Sequence, residues 1–266
     1  MKTRTLLAIG TLTSMVFAQS ALAEVTIFTD GFELGSVNYW TTSGSSPLTI
    51  DNTKSIFPAI GAYSALLDSS LDQMHRNIIN DNAGSEVGGY STFSTWIYDD
   101  TATRGYVTAR GYTGTGLPNG GTVADGTLAQ LLAIGKYNSV TLAGEVYDAT
   151  KYQARVLYGA NAGWFNLNAP GAPSRSPGWH EFTIAREGDG TTIDFFVDGI
   201  LGRTITGATP QTWDTITMGS VAAGSTTGNM WFDGIVVTVP EPSTLTLSLL
   251  GGLGLAVAAI SRRRKA

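Results

Sequence analysis

The sequence predicts an all-β protein, a two-sheet antiparallel jelly-roll sandwich, with an N-terminal signal peptide and one C-terminal transmembrane helix. Three observations lead to this prediction. The 266 residues include 33 glycines and only 14% charged residues, which is typical of many short strands joined by glycine turns. Strand-length segments fill the middle of the chain, where no convincing helical pattern occurs. Both ends are apolar with adjoining basic residues, as in segments that enter a membrane.

The first 23 residues have the parts of a signal peptide. A basic start, a mostly apolar middle and a small-x-small cleavage site follow one another: Lys2 and Arg4, residues 6–17, and Ala21 with Ala23. A signal peptidase needs small residues at these last two positions because its pocket is narrow. The mature chain is therefore expected to begin near Glu24, and the alternative interpretation is a structural N-terminal helix.

Residues 24–238 are predicted to form one β-sandwich domain. In Tyr90–Tyr98, Phe93 is a candidate inward position, and Trp96 and Tyr98 have the opposite parity. Residues 179–205 alternate most clearly, and a last strand is expected over 230–237. Asp198-Gly199 predicts a two-residue hairpin, because a type I′ turn needs positive φ at both central residues.

The charge of this domain excludes one class of partner. Between residues 24 and 239 the chain has 10 Lys and Arg against 20 Asp and Glu, a net charge of −10 with no basic cluster. A nucleic-acid partner is not expected on these grounds. The chain has no cysteine, which excludes thiol catalysis and cysteine-ligated metal sites.

The C-terminal segment, residues 239–266, contains three parts in order. Pro240, Glu241 and Pro242 come first, an apolar stretch follows over 243–261, and a basic tail over 262–265 includes Arg262, Arg263 and Arg264. About 19 helical residues span roughly 28 Å, close to the thickness of the hydrocarbon core. The basic tail is expected to stay in the cytoplasm, which places the domain on the opposite side of the membrane. The prolines are expected to keep their segment extended and outside any sheet, accessible to a processing enzyme.

This order of parts at a C-terminus resembles the PEP-CTERM sorting signal. The resemblance implies recognition by an exosortase, a transpeptidase-like membrane enzyme of Gram-negative bacteria that make exopolysaccharide. It implies an exported precursor, anchored in the inner membrane and later found in the cell envelope or outside the cell.

A second resemblance covers most of residues 28–238. Short motifs follow one another along the chain: Asp30-Gly31-Phe32-Glu33 with Trp40, Gly61-Ala62-Tyr63-Ser64, residues 178–182, residues 195–199 and residues 231–235. Their order is similar to laminin-G-like or concanavalin A-like jelly rolls. That fold hosts lectins, glycosidases, lyases and adhesion modules, so the resemblance specifies no single function.

Enzymatic activity is not predicted. The Glu-x-Asp-x-Glu strand pattern of concanavalin A-like hydrolases does not occur, and Glu145 and Asp148 point to opposite faces of a strand. The two histidines, His75 and His180, suggest neither a zinc site nor a Ser-His-Asp triad, since no Gly-x-Ser-x-Gly elbow is present.

Two candidate ligand sites remain. Trp96, Tyr98, Tyr106 and Tyr112 could form a sugar-stacking platform, and the alternative is that they are core residues. The jelly-roll resemblance implies a structural calcium ion, with Asp30, Glu33 and Asp233 as the matching positions. The alternative is that Asp30 and Asp233 shape Asp-Gly turns.

The functional prediction is a non-enzymatic envelope or extracellular-matrix protein that binds polysaccharide, such as exopolysaccharide, or another surface component. Signal peptidase and an exosortase are its expected processing enzymes. The sequence establishes no cofactor, and the one candidate is the structural calcium that the jelly-roll resemblance implies. The alternatives are a glycan-cleaving enzyme on the same fold and a purely structural matrix protein.

Overall fold

A computed structural model describes residues 24–42, 48–56, 61–68, 73–100, 104–113, 127–219 and 229–240. All of them belong to one compact unit, Glu24–Pro242. The predicted signal peptide, with Ala21 and Ala23, lies outside the described residues, as do Glu241, Pro242, the predicted membrane helix over 243–261 and the basic tail. Among the described residues, no helix has the length and apolar character needed to cross a bilayer.

The described residues are all-β. The strands in chain order are β1 (Glu24–Asp30), β2 (Thr41–Thr42), β3 (Thr49–Asp51), β4 (Ser64–Leu67), β5 (Gln73–Asn77), β6 (Ser91–Asp99), β7 (Gly105–Thr113), β8 (Thr127–Lys136), β9 (Gln153–Val156), β10 (Gly163–Asn166), β11 (Gly178–Arg186), β12 (Ile193–Val197), β13 (Ile200–Ile205), β14 (Thr215–Gly219) and β15 (Met230–Pro240).

These strands form two antiparallel sheets, which confirms the predicted two-sheet sandwich. Sheet 1 has eight strands in the order β13-β12-β11-β6-β15-β4-β3, with β1 also paired to β15. Sheet 2 has seven strands in the order β10-β9-β8-β7-β14-β5-β2. The sequence neighbours β6 and β7 lie in opposite sheets, so the chain crosses between layers after Asp99.

Strand β15 pairs with three other strands of sheet 1. One of its edges pairs with β6, and its other edge pairs with β4 near Met230 and with β1 from Ile235 onward. The prediction that Pro240 stays outside the sheet is wrong, because β15 continues to Pro240, which is opposite Glu24 on β1. A proline is tolerated there because it ends the strand, where a missing N–H interrupts no continuing ladder.

The core between the sheets follows from the alternation of side chains. Along β6 every second residue is buried, with Phe93 and Ile97 on the inner face and Trp96 and Tyr98 on the outer face, as predicted. Phe182 on β11 and Phe195 on β12 extend the same apolar layer. Burying such aromatic side chains is worth about 1.5–3 kcal/mol each.

The predicted hairpin is also confirmed. Asp198 and Gly199 join β12 to β13 with φ of 52° and 71°, the values that a type I′ turn requires. Glycine tolerates this conformation without strain, and aspartate is among the few other residues that adopt it readily. The turn fixes the register in which Phe195 and Val197 face the core.

Candidate functional site

The outer face of sheet 1 carries a row of three aromatic side chains, which we call the aromatic row: Trp179, Tyr98 and Trp231. They stand opposite one another on β11, β6 and β15. The Tyr98 ring lies 5.5 Å from Trp179 and 5.6 Å from Trp231 between centroids, edge to face in both pairs. Cross-strand aromatic neighbours hold each other's rotamers, so this surface is preorganised.

The last residue of β3 and the loop that follows it complete the aromatic row. The Lys54 ammonium lies 4.2 Å from the centroid of Tyr98 and 4.8 Å from that of Trp231. The indole N–H of Trp231 donates to Asp51 Oδ2 at 2.9 Å. The row therefore combines ring faces with a cation and a carboxylate.

Two residues away along each of these three strands lies a second row, which consists of Glu181, Trp96 and Asp233. The two carboxylates flank the indole, with Cα atoms about 10 Å apart from two strand spacings. Gly234, at φ of 55°, follows Asp233 in a β-bulge, and a Cβ there would lie 3.0 Å from Trp96 Cδ1. The glycine thus lets the indole lie against the backbone of β15.

The two rows border two adjoining pockets that share Gly61. One pocket of about 350 Å³, which we call the cleft, is lined by Trp96, Glu181, Asp233, Glu33 and neighbouring small residues. The other, of about 520 Å³, is lined by Trp179, Lys54 and the loop around them. Cavities of this size, with a few convergent polar groups, are typical of small-molecule sites.

Two carboxylates of the cleft, Asp233 and Glu181, have raised pKa values. Burial, with Glu33 and Asp30 nearby, raises the pKa of Asp233 to about 6. Burial and the neighbouring Asp198 carboxylate raise the pKa of Glu181. Perturbed carboxylates in a concave site are a recognised indication of function, because desolvation and like charge both disfavour the ionised form.

The three carboxylates of the calcium prediction each have backbone partners. Asp30 accepts the N–H of Phe32 at 2.8 Å and the indole N–H of Trp40 at 2.7 Å. Glu33 accepts the N–H of Ala62 at 2.7 Å.

Asp233 accepts from Gly234 N at 2.6 Å and from Ile56 N at 3.1 Å. Within the described part of the chain, no group of three or more His, Cys, Asp or Glu is placed to hold a metal ion. The contacts match the turn-forming alternative, and calcium stays a prediction.

The predicted four-residue sugar platform does not exist as one surface. Trp96 and Tyr98 lie on the outer face of sheet 1, whereas Tyr106 and Tyr112 lie on β7 in sheet 2 and are buried. The chain crosses between the sheets after β6, so equal parity along the sequence does not mean one common face. Trp96 and Tyr98 form part of the site, and Tyr106 and Tyr112 do not.

A Ser-His-Asp contact does occur, although the sequence analysis found no motif for one. His180 Nδ1 lies 2.7 Å from Asp198 Oδ2, and His180 Nε2 lies 3.0 Å from Ser176 Oγ. The same Nε2 also lies 3.0 Å from the Ser176 carbonyl oxygen, and Asp198 accepts the N–H of Glu181. Pro177 follows the serine and has no N–H to offer an oxyanion. The contacts fix the β12–β13 hairpin against β11.

Sequence reasoning missed Glu181, Trp179, Trp231 and Lys54. Glu181 and Asp233 are 52 positions apart in the chain and become neighbours of Trp96 only through strand pairing. The sequence did contain an indication for two of them, because Trp179 and Glu181 are two positions apart in a clearly alternating segment and so share one face of the strand. The pairing partner of that segment could not be read from one sequence.

Comparison with known proteins identifies the C-terminal segment. Residues 238–265 match the PEP-CTERM protein-sorting motif, which confirms the predicted sorting signal. Pro240, Glu241, Pro242 and Arg262–Arg264 lie within the matched range. The motif implies an exported, membrane-anchored precursor that an exosortase processes and that is sorted to the cell envelope. No curated protein sequence matches the chain.

Comparison with solved structures concerns the sandwich. A carbohydrate esterase from the Shiga toxin-encoding bacteriophage phi24B is similar over 82% of this chain and 100% of its own, at 15% identity and a TM-score of 0.52. A sialidase is similar over 81% of this chain and 18% of its own, at 9% identity and a TM-score of 0.47. The receptor-binding domain of botulinum neurotoxin C/D mosaic serotype is similar over 85% of this chain and 50% of its own, at 14% identity and a TM-score of 0.42. At such identities the likeness concerns the fold alone.

Proposed function

We propose that this chain is an exported envelope or extracellular-matrix protein, without enzymatic activity, whose β-sandwich binds polysaccharide through the outer face of sheet 1. The observation that carries the proposal is the pairing of the aromatic row with the carboxylate-flanked Trp96 in the next row. Flat ring faces cover the apolar faces of pyranose rings, and carboxylates accept hydrogen bonds from sugar hydroxyls. The two adjoining pockets on the outer face of sheet 1 offer a ligand both ring faces and carboxylates.

The shape of this face favours an extended ligand. The two pockets adjoin at Gly61 and together follow β6 and its neighbours across two residue rows. Trp96, Tyr98 and Trp179 are half-buried, so each is anchored by packing and still presents ring surface to solvent. A chain of sugars could contact both rows, which a compact ligand could not.

The route and anchoring of the protein form the second half of the proposal. Residues 1–23 are removed by signal peptidase, the helix over 243–261 holds the precursor in the inner membrane, and an exosortase then acts at the motif. The sandwich belongs, in this proposal, to the laminin-G-like or concanavalin A-like jelly rolls, and exopolysaccharide is its natural partner.

Binding is tested by titrating the protein with purified polysaccharides, including exopolysaccharide of the producing cell. Trp96→Ala and Trp179→Ala should each weaken binding by about tenfold, the equivalent of roughly 1.4 kcal/mol. Tyr158→Ala is the matched control, because Tyr158 is an exposed aromatic residue beside β9 of sheet 2. Absence of binding to every polysaccharide would leave the purely structural matrix protein as the better proposal.

Processing is tested by replacing Pro240 and Pro242 with Ala in the producing cell. The variant should remain in the inner membrane, because the Pro-Glu-Pro part of the motif that the exosortase recognises is lost. Mass spectrometry of the wild-type mature protein should find a new C-terminus near Pro242. Intact Arg264 on released protein would contradict exosortase processing.

A second candidate function is glycan cleavage, favoured by one observation. Glu181 and Asp233 face the same cleft from opposite sides of Trp96 and both have raised pKa values. Inverting glycosidases place two carboxyl groups about 6.5–9.5 Å apart, and the two strand spacings between β11 and β15 place the Cα atoms of Glu181 and Asp233 about 10 Å apart. Release of soluble oligosaccharides from a bound polysaccharide, abolished in Glu181→Gln, would establish the enzyme in place of the binding protein.

A further inference from the structure

The charge of the cleft restricts the chemistry of its ligand. Glu33, Glu181 and Asp233 line it, and no described basic side chain does. None of the three takes part in the ion pairs of the described residues. Among the residues that the structure describes, the cleft therefore presents three carboxylates without a counterion.

The surroundings of Asp233 make the missing counterion costly. Asp233 is 3% exposed, and its only described hydrogen-bond donors are two backbone amides. Asp30 lies close enough to add to the repulsion that Asp233 experiences from Glu33. In a partly desolvated site, water stabilises an ionised carboxylate poorly, and a bound cation stabilises it by direct Coulomb attraction.

The same face already binds an ammonium group of the chain itself. The Lys54 ammonium lies over the rings of Tyr98 and Trp231 in the adjoining pocket. Cation–π contact with two rings shows that the aromatic row is electrostatically suited to a primary amine. Because Lys54 already occupies these two rings with a positive charge, the aromatic row offers a neighbouring sugar unit ring surface and not a second ammonium site, and the charge preference is set by the carboxylates of the cleft.

The arrangement favours an organic ammonium over a metal ion. The carboxylates are spread around the indole of Trp96, and the described residues offer no group of ligands that could hold a metal. An ammonium has three directed N–H donors and can contact separated carboxylates while its sugar ring lies on an aromatic face. A uronic acid would add a fourth negative charge to the cleft.

We propose that the cleft selects polysaccharides that carry free amino groups, that is 2-amino-2-deoxyhexose units without an N-acetyl group. This inference rests on the proposed polysaccharide binding and names the class of sugar. The amine lies between Glu181 and Asp233, the pyranose face covers Trp96, and the neighbouring unit extends toward the aromatic row. Glu33 contributes the third acceptor at the rim.

The experiment compares three oligosaccharides of equal length by isothermal titration with the full-length protein, in buffer containing a chelator. They are a glucosamine oligomer, an N-acetylglucosamine oligomer and a uronic acid oligomer. The glucosamine oligomer should bind at least about tenfold more tightly than its N-acetylated counterpart, and the uronic acid oligomer most weakly. Raising the salt concentration should reduce this preference, because it screens the charges.

Two variants test whether Glu181 causes the preference for the glucosamine oligomer over the N-acetylglucosamine oligomer. Glu181→Gln should bring the ratio of glucosamine to N-acetylglucosamine affinities close to one. Asp194→Asn removes the same charge from the same face of sheet 1 on β12, outside the cleft, and should leave the ratio unchanged. Circular dichroism of both variants shows that each is folded as the wild type is.

The outcomes separate this inference from the function on which it rests. Binding of the glycans with equal affinity for the amino and N-acetyl forms would overturn the inference and leave polysaccharide binding intact. A ratio that Asp194→Asn lowers as much as Glu181→Gln would also overturn it, since net charge alone would then explain the preference. Absence of binding to every oligosaccharide and polysaccharide would remove the proposed function and the inference together.

Discussion

The outer faces of the two sheets differ although their strands look alike in sequence. Strands β6 and β7 are each nine residues long and follow one another, yet β6 alternates between buried and half-exposed residues while β7 is buried on both faces up to Tyr112. The outer side of sheet 1 carries a concave aromatic and acidic surface. The outer side of sheet 2 carries a packed cluster of Tyr106, Leu131, Ala133 and Trp164.

The aromatic groups on the two faces show what this difference means. In sheet 2, Trp164 stacks on Tyr137 with centroids 3.9 Å apart and contacts Tyr106 edge to face. In sheet 1, Trp96 borders a cavity. Aromatic content alone therefore does not identify a sugar platform, because the same residue types serve stability on one face and are available to a ligand on the other.

The largest predicted effect tests this contrast directly. Trp164→Ala should reduce the free energy of unfolding by about 3–5 kcal/mol, because it empties a buried space among packed rings. Trp96→Ala should cost about 1 kcal/mol or less, since its indole is only half-buried. Urea denaturation of both variants beside the wild type measures the difference, and equal losses would show that the two faces are equivalent.

Calcium binding would sharpen the contrast by adding an ion to one face only. If calcium binds Asp30, Glu33 and Asp233, calcium at 100 times its dissociation constant should stabilise the folded protein by about 2.7 kcal/mol. The midpoint of thermal unfolding would then rise by roughly 5–10 °C over the value in chelator. A rise that persists after Asp30→Ala with Asp233→Ala, or no rise at all, would leave these residues as turn formers.

The last predicted effect concerns pH. The pKa of Asp233 is about 6 in the folded protein against an ordinary 3.8, so the folded state binds more protons than the unfolded state between these values. Stability from this group is therefore present below about pH 4 and falls as the pH rises to about 6, by on the order of 3 kcal/mol. Asp233→Asn should flatten that part of the stability profile, and Asp194→Asn should not. A difference in stability between the wild type and Asp233→Asn that stays constant over this range would contradict the raised pKa.

Much of the fold could be predicted because it depends on local patterns. Alternation placed Phe93 inward and Trp96 outward, and the Asp198-Gly199 pair specified a hairpin whose φ values follow from sterics at two residues. The sorting motif was equally accessible, because its prolines, apolar stretch and basic tail are contiguous. Each of these features is read within one segment and needs no knowledge of what that segment contacts.

The candidate site depends on contacts between distant segments, so only the tertiary structure decided it. Strand pairing brought Glu181 and Asp233 to either side of Trp96, and the crossover after β6 sent Tyr106 and Tyr112 to the other sheet. The end of β15 shows the same limit, since Pro240 joined the sheet through its pairing with Glu24. Parity in a sequence says which residues share a face of one strand. Which strands then lie side by side is set by the packing of the whole sandwich, because many pairings bury similar apolar area and only the complete core distinguishes them.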